Sequence, residues 1–95
     1  HTHVPIAFTQ VDGRMRTLAP RAGNTVALGE GRTLLNPGSV GQPRDGSPQA
    51  AWALLDNERG ELTFRRTPYD VAAAAERVRA VGLPTELATR LLTGK

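Results

Sequence analysis

The hydrophobic period of this chain changes once, and that change constrains its fold more than any other feature. Before Thr67 the apolar residues alternate with polar ones or come in short runs, as strands require. From Asp70 onward they recur at helical spacing. Residues 4–11 carry the β-formers Val4, Ile6, Phe8 and Val11 and end on the turn pair Asp12-Gly13. Residues 14–18 then suit the second arm of a hairpin. Two further short strands, 25–28 and 32–35, lie around Gly29-Glu30-Gly31. Residues 51–56 are expected to form a buried strand containing Trp52, Leu54 and Leu55. In 61–67, Leu62 and Phe64 alternate with Glu61, Thr63 and Arg65, the pattern of a strand with one wet face.

The helical end is equally well punctuated. Asp70 suits an N-cap, because its carboxylate can accept from the free amides of a first turn. Val71, Ala74, Ala75, Val78 and Val81 then fall on one face, and Gly82 suits the residue just past the helix. Pro84 suits the first turn of a second helix with Leu87, Ala88, Leu91 and Leu92 on its apolar face and Gly94 closing it. An α/β fold follows, strands first and two helices last. A sheet must bury a face against another layer, and these elements are too few to cover both faces of so many strands. The chain also begins with His1 rather than Met. Part of the fold is therefore expected to lie N-terminal to His1.

Composition excludes several functions. No apolar run approaches the roughly 18 residues a membrane helix needs, and no secretory signal pattern opens the chain. Cysteine is absent, so disulfides and thiolate metal sites are excluded and a cytoplasmic protein is expected. The net charge of +3 does not indicate a nucleic-acid partner. The basic residues are scattered among acids from Arg14 to Lys95, and only Arg65 and Arg66 are adjacent. A nucleic-acid footprint would cluster and bring stacking aromatics.

Two segments can carry chemistry. His1-Thr2-His3 offers two imidazoles, the commonest protein metal ligands, and on an extended backbone both rings would lie on one side. Polar surface is the plainer alternative. The second segment is Asn36-Pro37-Gly38-Ser39-Val40-Gly41-Gln42-Pro43-Arg44-Asp45-Gly46. Its glycines permit close backbone approach and its prolines stiffen the path. It can present Asn36, Ser39, Arg44 or backbone amides to an anion, or it can serve only as a corner between strands. Arg44 is the one cation in it, suited to a bidentate phosphate contact or to pairing with Asp45. It is not a P-loop, since the Gly-Lys-Ser/Thr ending is missing.

Together, His-Thr-His and the later Asn-Pro-Gly-Ser-Val-Gly-Gln-Pro-Arg-Asp-Gly resemble the C-terminal half of the calcineurin-like metallophosphoesterases, closest to their bacterial and archaeal phosphodiesterase-like branch. The resemblance spans the whole chain, residues 1–95, and implies the C-terminal part of a four-layer sandwich, two β-sheets flanked by helices. This chain would supply much of one sheet and a helical layer. The activity implied for the complete protein is hydrolysis of phosphomonoesters or phosphodiesters by a dinuclear metal centre. His1 would ligate one of two divalent ions (Mn, Fe, Zn or Ni) and His3 the other, while Asn36, Ser39 and Arg44 shape the substrate pocket. The partners implied are a phosphoester substrate and the N-terminal part of the same protein. The family's Asp-x-His, Gly-Asp-x-x-Asp and Gly-Asn-His-Asp/Glu motifs are not among these 95 residues, nor is the Gly expected before His1. These 95 residues alone are therefore expected to be inactive. The competing expectation is a stand-alone binding or structural module.

Overall fold

The computed structural model describes residues 1–95. Six strands precede two helices: β1 (Ile6–Val11), β2 (Arg14–Leu18), β3 (Thr25–Ala27), β4 (Arg32–Asn36), β5 (Ala50–Asp56), β6 (Glu61–Thr67), α1 (Val71–Ala80) and α2 (Thr85–Thr93). The first strand starts two residues later than expected. Pro5 lacks the amide that a ladder needs, and His3 turns the chain with φ 59. Asp12 (φ 48) and Gly13 (φ 75) both adopt the positive φ of a tight hairpin turn.

The strands form two antiparallel sheets in the orders β2-β1-β4 and β3-β6-β5. The chain thus supplies three strands to each of two sheets, rather than much of one. β3 and β4, only four residues apart, enter different sheets. Thr25 pairs with Thr63 in one, and Arg32 with Gln10 in the other. That separation lets the sheets share a core. Ala7 of β1 lies opposite Leu35 and is buried together with Leu62 and Phe64 of β6, while Val26, Leu28 and Ala53 close the cluster.

The opposite faces are bare. Phe8 pairs with Leu34 on the outer side of the first sheet, and Leu34 is 72% exposed. In β5 the buried residues are Ala50 and Ala51, and the expectation of burial fails for Trp52, Leu54 and Leu55. Trp52 and Leu54 lie opposite Arg65 and Thr63, on the side away from Phe64. With no layer over that side, the Trp52 indole settles by donating to Thr67 Oγ1 at 2.9 Å.

The helix ends follow the sequence signals. Asp70 Oδ1 accepts from the Ala73 amide at 2.9 Å, Gly82 adopts φ 75, and Gly94 closes α2 in the left-handed conformation. Pro84 stands just outside α2 as its N-cap. The helices pack on each other through Ala75, Ala88 and Leu91, with Val71, Ala74 and Val78 around them. Val81 and Leu92, expected on the apolar faces, are exposed. Val81 falls beyond the last turn of α1, and Leu92 follows buried Leu91 by about 100° around α2. No helix is long and apolar enough to cross a membrane.

A candidate metal-ligand segment and the loop that holds it

The segment from Pro37 to Gln49, which follows Asn36 at the end of β4, is irregular but anchored along its length. Asn36 Nδ2 donates to Thr2 Oγ1 at 3.2 Å, and Asn36 Oδ1 accepts from the Gly38 amide at 2.9 Å. The Ser39 carbonyl accepts from Ala51 N at 2.9 Å, which ties the loop to the start of β5. Pro43 is fully buried. Asp45 pairs with Arg66, whose guanidinium also donates to the Gln49 carbonyl at 3.2 Å. Burial lowers the Arg66 pKa from its ordinary value. Finally, the Gly46 amide donates to the Gly94 carbonyl at 2.8 Å, docking the end of the helix pair on the loop.

Gly38 shows how closely the loop is seated. It adopts φ 96, and a Cβ there would lie 2.6 Å from Ala51 Cβ and 3.0 Å from Pro5 Cγ. Gly38→Ala therefore combines a strained backbone, about 1–3 kcal/mol, with overpacking of about the same size. A clear fall in the denaturant midpoint of the intact protein is expected. An unchanged midpoint would mean that the loop can shift away from Pro5 and Ala51.

The loop meets the histidine segment at His3. His3 Nδ1 lies 2.9 Å from the Gln42 carbonyl oxygen. A carbonyl oxygen can only accept, so Nδ1 must carry the proton. In the neutral ring Nε2 then keeps its lone pair, ready for a metal. Histidines that bind metals commonly donate their other N–H to a carbonyl or carboxylate in this manner, which fixes tautomer and ring direction. His3 is half-buried and held at positive φ, a conformation that persists where surrounding structure enforces it. The extended backbone expected for His1-Thr2-His3 is therefore replaced by a turn at His3. His1 is exposed at the start of the chain.

The other loop candidates are placed differently. Asn36 and Ser39 are half-buried and engaged with the loop and the Thr2 hydroxyl. Arg44 is exposed and forms no ion pair, because the expected partner Asp45 is taken by Arg66. Gln42 was not legible as a contributor, since it acts through its backbone carbonyl and no side-chain pattern reports that. No three histidines and carboxylates of this chain converge. A dinuclear centre built on His1 and His3 therefore needs donors from outside these residues.

No family model matches the chain. An uncharacterized protein of Methanocaldococcus jannaschii is 33% identical over 95 residues, which cover 100% of this chain and 37% of that protein. The crystal structure of a metallophosphoesterase from Sphaerobacter thermophilus superposes with a TM-score of 0.91 at 37% identity. That match covers 100% of this chain and 40% of the other. The chain thus spans about two fifths of the length of the proteins it matches.

Proposed function

We propose that this chain, which has the fold of the C-terminal portion of a calcineurin-like metallophosphoesterase, supplies metal ligands to a phosphoester hydrolase completed by further polypeptide. The observation that carries the reading is the His3 ring, held by Gln42 with Nε2 available for a metal. His3 and His1 each donate an imidazole to one of two divalent ions (Mn, Fe, Zn or Ni), a range that imidazole accepts. When bound, such a pair supplies Lewis acidity toward the phosphoryl oxygens and activates water. The chain's own part is to present two neutral imidazoles and to hold one of them rigidly. The partner that supplies the remaining ligands is the N-terminal part of the same protein, and the uncovered Trp52 and Leu54 side of β5 offers a surface for its docking. We take the site of action to be the cytoplasm, where a cysteine-free sequence is at no disadvantage. The test is hydrolysis of an aryl phosphoester by the intact protein, with metal removed by chelation and then restored. Activity that persists after complete chelation overturns the proposal.

Arg44 extends the reading to substrate. With Asp45 occupied by Arg66, its guanidinium is free to meet a phosphate. A charge-assisted hydrogen bond contributes about 1.5–3 kcal/mol, so Arg44→Ala should lower kcat/KM by about 10–100-fold. Unaltered kcat and KM would return Arg44 to the solvent.

One observation favours the stand-alone binding module instead. Val40, Ala50, Tyr69, Ala74, Val78 and Leu91 line an apolar groove of about 430 Å³ between the loop and the helices. The bare sheet faces weigh against an autonomous module.

A further inference from the structure

We propose that Ser39 is the positioning residue for His3: through Gln42, it fixes the tautomer and direction of the imidazole. The inference rests on the reading of His3 as a metal ligand and goes beyond it. The route is short and continuous. Ser39 Oγ accepts from the Gln42 amide at 2.9 Å, and the Gln42 carbonyl accepts from His3 Nδ1 at 2.9 Å. Ser39 is itself fixed, because its carbonyl accepts from Ala51 N on β5 and its neighbour Gly38 is wedged against Ala51 and Pro5. The amide of residue 42 lies on a stretch between Gly41 and buried Pro43 that belongs to no helix or strand. The Ser39 hydroxyl is the acceptor its N–H finds. Releasing that amide frees the Gly41–Gln42 peptide plane to rotate, and the change in the Gln42 backbone dihedrals re-aims the following plane, whose carbonyl holds the ring. A second tie, from Asn36 to Thr2, secures the residue before His3. On this account the Asn-Pro-Gly-Ser segment works as a template for the metal ligand, and the Ser39 lone pair is used inside the protein.

The experiment uses the intact protein with ¹⁵N-labelled histidine. The ring tautomer is read from long-range proton–nitrogen correlations without metal, and zinc affinity is measured by competition with a chelating dye. The His3 signals are identified by their loss in His3→Gln. The wild-type ring should be wholly the Nδ1–H tautomer. Ser39→Ala should show a mixture and weaken zinc binding about tenfold, at the lower end of what orienting partners of ligands contribute. Ser39→Thr, which keeps the hydroxyl, should restore both. Gln42→Ala, which keeps the carbonyl, should change neither. If Ser39→Ala does not fold, Ser39→Cys preserves the volume with a weak acceptor and carries the same expectation. A Ser39→Ala protein with a wild-type His3 tautomer and zinc affinity overturns the proposal. A wild-type protein that binds no zinc overturns the metal reading instead, and the metal-free tautomer comparison still decides whether Ser39 positions the ring.

Discussion

His3→Ala in the intact protein should lower turnover of an aryl phosphoester by more than about a hundredfold and reduce bound metal. Loss of a group that merely orients a ligand costs about 10–100-fold, and loss of the ligand itself should cost more. The fold should survive the change. His3 is only half-buried and makes a single hydrogen bond, to Gln42, and such a bond is worth about 0.5–1.5 kcal/mol net. A near-native melting temperature with lost activity and lost metal is therefore the expected pair of results. Removing the ring also frees the Gln42 carbonyl, which water can reach at so shallow a site. Turnover and metal content both equal to wild type would remove His3 from the site.

Residues 1–95 produced alone should behave as a molten, aggregation-prone chain without cooperative thermal unfolding. Only 11 of the 95 residues are buried, and six of them form two separate clusters of three, one between the sheets and one between the helices. The radius of gyration is 15.7 Å over extents of 51 × 25 × 18 Å, against about 12 Å for a compact domain of this length. Leu34, Met15, Leu54 and Trp52 face solvent. Each large apolar side chain left wet forgoes about 1.5–3 kcal/mol, and a folded domain is typically stable by only about 5–15 kcal/mol. Strong binding of a hydrophobic dye and poorly dispersed amide resonances are the expected signatures. A sharp cooperative transition would show an autonomous domain and put the binding-module reading first.

Much of the local structure was legible from residue chemistry. Asp70, Gly82 and Gly94 marked helix ends because each signal acts within one turn of chain. The alternation of Leu62 and Phe64 located the buried face of β6, since strand geometry sends neighbours to opposite sides. The expectation for Trp52, Leu54 and Leu55 failed for a different reason. An apolar side chain carries no record of whether a layer covers it, and none covers Trp52 and Leu54, while Leu55, on the Leu62 side, is exposed near the end of β5. Nor could adjacency in sequence reveal that β3 and β4 part into separate sheets, a choice made by pairing with β6 and β1.

The candidate site divides in the same way. The order of residues specifies which groups are available: the His1 and His3 imidazoles, the Asn36 and Ser39 side chains, and the Arg44 charge. Tertiary structure alone decided how they are used. It brought Gln42 to His3 across 39 residues, engaged Ser39 with the Gln42 amide, and gave Asp45 to Arg66 rather than to Arg44. The His3–Gln42 and Asp45–Arg66 contacts join segments far apart in the chain, and Gln42 takes part only through backbone atoms that every residue possesses. Side-chain identity therefore carries little trace of them, and they exist only once the loop is folded against Pro5 and β5.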